Sequence, residues 1–246
     1  MPGLGGLLLV AVVLAAAPAE PRVLVFTKTT GYRHDSIPAG VAAIEQLGRR
    51  HGFRVEHTED AGRFTGRGLA RYDAVVFLST TGDPLGRTAQ KRALRRYVER
   101  GGGFFGIHAA ADTAPGWRWF DRLVGARFRS HPPGTPPAVV RVARRRAAAT
   151  RGLPAAWSRQ DEWYAFASNP RRRVRVLATV DERTYPAGES AMGADHPIAW
   201  CRREGRGRSV YTAMGHTSES YAEPLFRRHL LGSIRMAMGR ARFDCP

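Results

Sequence analysis

Eight histidines are spread along this 246-residue chain, and four of them fall where chemistry would need them. His34 follows the apolar run at 23–26, His108 closes the run at 104–107, and His216 comes directly after a run at 209–214. His131 opens the proline-rich loop 131–137. Ligands of open α/β sheets bind beyond the carboxyl ends of the strands, so residues there are placed for function. Three neutral imidazoles converging at such an edge suit zinc or a related divalent metal. His34, His108 and His216 are the expected metal ligands. His108, Glu162 and Asp112 are the expected catalytic groups, and Asp35, Asp112 and Glu162 are candidates for a fourth ligand, an orienting partner or a base. An open metal position polarises a sugar oxygen or activates water. No two of these histidines share a local metal spacing such as H-E-x-x-H, so the set rests on strand ends alone. The plainer alternative is that one or two are structural histidines held in turns, or that the set moves protons without a metal. His51, His57, His196 and His229 read as surface or helix positions and are set aside.

Tyr32, Trp117, Trp163 and Tyr164 lie close in sequence to these polar groups. Aromatic faces suit the C–H face of a sugar ring, which makes them candidate substrate contacts. The alternative for each tryptophan is a place in the core or the pocket wall.

The elements that must position these residues centre on Gly101-Gly102-Gly103-Phe104-Phe105-Gly106-Ile107-His108, followed by three alanines and Asp112. The charge-free run 104–107 reads as a strand buried on both faces. A helix at 88–100 precedes it and the glycines stop that helix. Upstream, strands are expected at 23–26, 53–58 and 73–78, with a helix at 39–50. Ser36 is expected to cap that helix, Pro38 to lie in its first turn and Gly52 to end it. Strand and helix alternate from 23 to 108, the pattern of right-handed βαβ units and a parallel sheet. Downstream, a short helix ends at Gly125. Strands are expected at 139–142, 161–164 and 174–180, a hairpin spans 198–214, and a helix closes the chain at 223–238.

Composition narrows the function classes. The formal charge is +18, with 39 Lys+Arg against 21 Asp+Glu, and Lys28 and Lys91 are the only lysines. The arginines are scattered apart from 144–146 and 171–173, and no nucleic-acid-binding signature accompanies them, so nucleic acid is a minor expectation. No G-x-G-x-x-G follows the first strand and no P-loop is present, so no nucleotide cofactor is expected. No G-x-S-x-G elbow is present either. Residues 7–17 form an apolar run too short to span a membrane, and Ala17-Pro18-Ala19 matches a signal-peptidase site. The reading is a signal peptide at 1–19, a single domain at 20–246, and a secreted or cell-envelope protein. Cys201 and Cys245 could pair there, or remain two unrelated thiols.

Several stretches together resemble the ThuA-like (trehalose utilisation) family. They are the segment 31–37 (Gly-Tyr-Arg-His-Asp-Ser-Ile), the segment 106–113 around His108, His131-Pro132, Asp161-Glu162-Trp163-Tyr164, the segment 196–200 and the segment 207–216. The resemblance runs in order from about 23 to 238. It implies a flavodoxin-like three-layer α/β sandwich with a central, mainly parallel sheet, related to class I glutamine amidotransferases. Those enzymes carry a cysteine at the turn where this chain has His108, so cysteine-dependent amidotransfer is not expected. The resemblance points to a small-molecule sugar: hydrolysis, isomerisation or elimination at a glycoside or keto-sugar. The rival expectation is a non-catalytic carbohydrate-binding module on the same scaffold.

Overall fold

The structure is a computed structural model that describes residues 19–246; all of the expected leader except Ala19 lies outside the described residues. Along the chain come β1 (Arg22–Phe26), α1 (Ile37–His51), β2 (Arg54–Thr58), α2 (Gly66–Leu69), β3 (Ala74–Leu78), α3 (Thr88–Glu99) and β4 (Gly103–Ile107). They are followed by α4 (Arg118–Val124), β5 (Phe128–Ser130), β6 (Pro137–Val142), β7 (Ala156–Gln160) and β8 (Ala165–Phe166). The chain closes with β9 (Arg175–Asp181), β10 (Pro197–Glu204), β11 (Gly207–Thr212) and α5 (Pro224–Ala237).

Nine strands form one sheet in the order β2-β1-β3-β4-β11-β10-β9-β6-β7, and β5 pairs with β8 in a separate ribbon. The neighbours from β2 to β11 are parallel. From β11 outward, every neighbour is antiparallel. Every residue of β3 and β4 is buried, as strands covered by helices on both faces require. Successive side chains of a strand point to opposite faces, and β11 shows which helix lies where. Ser209 Oγ donates to Leu123 O of α4 at 2.6 Å, whereas Arg208 Nε donates to Ala237 O of α5 at 2.8 Å. Gly207, on the Ser209 side, backs onto Val98 of α3. The helices α3 and α4 therefore cover one face and α5 covers the other, where it is joined to α1 through the Arg227–Gln46 hydrogen bond. This is the expected three-layer α/β sandwich. Phe26, Phe77, Phe104 and Phe120 run through it with successive ring centroids 5.2, 5.3 and 5.6 Å apart. Truncating such a ring to alanine costs about 3–5 kcal/mol.

Two local expectations are corrected. Residues 161–164 do not form a strand; they are a buried connection between β7 and β8. The Asp161 carboxylate supplies the pairing there, because it collects backbone N–H groups from a distant loop. Ser36 does sit at the N-cap of α1, but its hydroxyl does not cap the helix. It donates instead to Gly215 O at 3.3 Å. Pro38 and Gly52 lie as expected, with Gly52 left-handed at φ 70°.

Candidate functional site

His108 is the first residue after β4, and its backbone is left-handed at φ 50°. A non-glycine residue there costs about 1–2 kcal/mol, and such strain clusters at functional turns. Two contacts hold it. Tyr211 Oη donates to His108 O at 2.8 Å, and His108 Nδ1 lies 2.7 Å from Ala213 O. A carbonyl oxygen only accepts, so this contact assigns the ring proton to Nδ1 and leaves Nε2 of the neutral ring a bare lone pair.

Three further groups face that nitrogen. His34 Nε2, from the loop after β1, is 3.1 Å away. His216 Nδ1, from the loop after β11, is also at 3.1 Å. Glu162 Oε2 stands 3.4 Å from His108 Nε2 and 3.2 Å from His216 Nδ1. One donor atom from each of the four residues lies within 4.8 Å of the other three. Lone pairs collected this closely repel unless protons or a cation sit among them. Three imidazole nitrogens and one carboxylate oxygen are a donor set that suits a tetrahedral divalent ion.

The electrostatics follow from burial and from this crowding. Burial, then the neighbouring His108 and His216 charges, lower the His34 pKa to about 3, with Glu162 opposing. A hydrogen bond with Glu162 raises that of His216, against burial. Burial alone would raise the Glu162 pKa, but its contacts with His108 and His216 outweigh that and hold the group ionised well below the usual carboxylate range.

The other oxygen of Glu162, Oε1, is 3.2 Å from His131 Nδ1. His131 Nδ1 is also 3.0 Å from Pro132 O. Both partners accept, so Nδ1 carries the proton and Nε2 is the free base of a side chain that is 37 % exposed. The sequence left His131 outside the ligand set, and the structure places it at the rim. Asp112 is half-buried and turned to Arg127 at 3.5 Å, outside the inward-facing donor set. Burial raises its pKa and Arg127 opposes the rise. Asp35 is exposed at the start of α1.

Of the aromatic candidates, Tyr32 is 66 % exposed and its ring meets His34 edge-on at 4.8 Å. Tyr164 is buried, with its ring 4.3 Å from that of His108. Trp163 is 1 % exposed and its indole N–H donates to Pro136 O at 2.8 Å. It is a wall under the His131 loop, not a face that a ligand reaches. Trp117 is half-buried and stacks on Trp119 and Phe120.

Sequence reasoning missed the residues that aim the cluster. Asp161 is fully buried. It accepts the backbone N–H groups of Gly215 at 2.8 Å, His216 at 3.0 Å and Glu162 at 2.9 Å, and pairs with Arg159 at 3.1 Å. One carboxylate thus fixes two candidate ligands. His196 and His229, set aside as surface or helix positions, are both fully buried. His196 lies between Glu182 Oε1 at 2.7 Å and Tyr164 O at 2.8 Å, and so pins the backbone of the residue stacked on His108. No cysteine is free: Cys201 and Cys245 are joined in a disulfide.

The sequence profile of the ThuA family, described as trehalose utilisation, matches residues 22–237. No curated protein matches the sequence. Among solved structures, a ThuA-like protein from Bacteroides uniformis ATCC 8492 is 24 % identical, with a TM-score of 0.77 over 93 % of this chain and 96 % of its own. A ThuA-like protein from Parabacteroides merdae ATCC 43184 is 20 % identical, with a TM-score of 0.73 over 92 % of this chain and 93 % of its own. A protein from Thermoplasma acidophilum, described as part of a GMP synthase, is 12 % identical, with a TM-score of 0.55 over 91 % and 97 %. At these identities the likenesses show the fold, an α/β sandwich. The profile match spans nearly every described element from β1 to α5, and the chain belongs to the ThuA family.

Proposed function

We propose that this protein is an exported enzyme acting on a glycoside or keto-sugar through a divalent metal, zinc being the best fit to the donors. The observation that carries the reading is the convergence of His34 Nε2, His108 Nε2, His216 Nδ1 and Glu162 Oε2, with the His108 proton drawn away to Ala213 O. Metal-ligating histidines characteristically donate their other N–H to a carbonyl or carboxylate. A bound divalent ion would supply polarisation of a sugar oxygen or of water.

The chain's own residues would do the rest. His131 Nε2, at the rim, takes a proton from the substrate or from water and returns it. Glu162 Oε1 steadies the imidazolium that forms, through the 3.2 Å contact with Nδ1. Asp112, held up in pKa by burial and paired with Arg127, is a candidate second proton carrier. Tyr32 offers an exposed ring to the C–H face of a sugar. The family's description supports a carbohydrate role. The Cys201–Cys245 disulfide supports an oxidising compartment, in keeping with the apolar leader.

Elemental analysis of the purified protein tests the metal reading. Near-stoichiometric metal in the parent, lost in His108→Ala and His216→Ala, is expected. A folded parent that stays metal-free after zinc supplementation would overturn it, and affinity for a neutral glycoside or keto-sugar surviving in His108→Ala would favour a carbohydrate-binding module.

A further inference from the structure

At the opposite edge of the sheet from the histidines lies a basin walled by arginine. It opens beside the start of β9 and the end of α5, and encloses about 650 Å³. Arg144, Arg145, Arg146, Arg151, Arg175 and Arg242 line it. Two smaller cavities adjoin it. One shares Arg151 and Arg242 and adds Arg228, Arg235 and Arg240. The other shares Arg144 and Arg175 and adds Arg171. Beneath the arginines lie Leu177, Met236 and the disulfide, all buried. The disulfide ties the C-terminal tail, and with it Arg242, to β10.

Elsewhere in the molecule, clustered arginines gather around a carboxylate. Arg22, Arg63 and Arg71 converge on Glu56, and Arg141 and Arg183 on Asp181. The basin departs from that pattern. Asp244, 4.0 Å from Arg175, is the one acidic side chain among the described residues that line its cavities, and Arg171 and Arg240 pair with Asp195 and Asp73 beyond the lining. Among the described residues, Arg144, Arg145, Arg146 and Arg151 have no carboxylate within 4.0 Å, and neither do Arg228, Arg235 and Arg242. Guanidinium groups held together without counter-charge repel one another, and they match carboxylate, sulfate and phosphate groups in bidentate geometry.

We propose that this basin binds a segment of an anionic polysaccharide, its acid groups paired with the arginines and its sugar rings resting on Ala143, Ala147 and the arginine stems. Single-stranded nucleic acid fits less well, because binding of that kind uses aromatic stacking platforms and no aromatic side chain lines the three cavities. The proposal stands apart from the metal reading, since the basin shares no residue with the histidine cluster.

A short oligogalacturonate, its fully methyl-esterified form and a single-stranded DNA of matched charge are the probes, titrated calorimetrically into the full chain. Oligogalacturonate is expected to bind with a salt-dependent affinity, and the ester and the DNA to bind at least tenfold more weakly. Arg146→Glu with Arg242→Glu should reduce oligogalacturonate affinity tenfold or more. Both residues are exposed, so the fold is not at stake, and a circular dichroism spectrum checks it. His108→Ala should bind oligogalacturonate as the parent does. Unchanged affinity in the double variant, or DNA binding as tight as the oligogalacturonate, would overturn the proposal.

Discussion

Asp161 Oδ1 accepts the backbone N–H of His216 at 3.0 Å, across 55 residues of sequence. The same carboxylate holds Gly215 N and is neutralised by Arg159, itself buried. The orientation of His216 towards His108 therefore depends on a buried ion pair that touches no candidate ligand side chain. Asp161→Asn keeps the shape but puts an N–H₂ where an acceptor is needed, and leaves the buried Arg159 with Glu223 as its remaining carboxylate. Breaking one side of a buried pair costs about 3–5 kcal/mol. The expected result is a loss of that order in urea unfolding, together with a lower metal content in the folded fraction. Unchanged stability would show that the pair does not hold the loop.

Gly215 has φ +113°, a conformation that L side chains rarely adopt, and a Cβ there would stand 2.8 Å from Tyr221 Oη. Tyr221 in turn donates to Gly215 O at 3.0 Å. Gly215→Ala should cost about 1–3 kcal/mol in backbone strain and displace His216, so metal content should fall. Gly52→Ala is the control. Its φ is also positive, but nothing stands within 4 Å and it lies at the far end of α1. It should lose stability and keep its metal.

Glu162 joins the two halves of the site, with Oε2 in the cluster and Oε1 on His131. Glu162→Gln removes the negative charge and substitutes a donor for an acceptor. Cobalt(II) titration, read through its ligand-field absorption, should show affinity reduced by roughly tenfold or more, the scale of losing a group that holds a metal site. Affinity equal to the parent's would remove Glu162 from the ligand set.

The central strands and their order along the chain were legible because a strand covered on both faces is an uninterrupted apolar run, as 104–107 is. The three histidines of the cluster were legible for a related reason, since each follows such a strand or the loop that leaves it. The means of holding them were not. Asp161 and Arg159 meet residues 54 to 64 positions away in sequence, and a short polar segment carries no period that announces such a tie. His196 and His229 look exposed in sequence because their neighbours are polar or helical. In the structure each is buried with a ring nitrogen on a carbonyl oxygen, Tyr164 O at 2.8 Å and Ala149 O at 2.8 Å. Trp163 is buried for the opposite reason, its indole N–H being held by Pro136 O.

The disulfide closes a loop between residues 44 positions apart. Chain-entropy reasoning gives about 4 kcal/mol for a loop of that length. Cys245→Ser should therefore lower stability by up to that amount, and reduction of the parent should do the same. It should leave the metal content unchanged, because neither cysteine belongs to the histidine–glutamate cluster. A loss of metal on reduction would place the tail in communication with the far edge of the sheet.

His229 gives the stability curve a direction in acid. It is fully buried in α5, donates from Nδ1 to Ala149 O at 2.8 Å, and has no partner at Nε2 among the described residues. Burial lowers its pKa to about 4, with the Ala149 contact opposing and the Arg159 charge adding to the fall. In the unfolded chain the ring titrates near its ordinary value of 6.5. Between those values the unfolded state binds a proton that the folded state refuses, so stability rises with pH through the window and falls as pH drops from about 6.5 towards 4. The gap corresponds to about 3 kcal/mol at most. His34, lowered by burial and by His108 and His216, adds to the trend in the metal-free protein. His229→Asn keeps a donor for Ala149 O and cannot be protonated. Urea unfolding of the metal-free parent and variant at pH 7 and pH 4.5 should show the variant losing about 2–3 kcal/mol less over that interval. Parallel losses in the two proteins would mean that His229 is protonated in the folded state as readily as in the unfolded one.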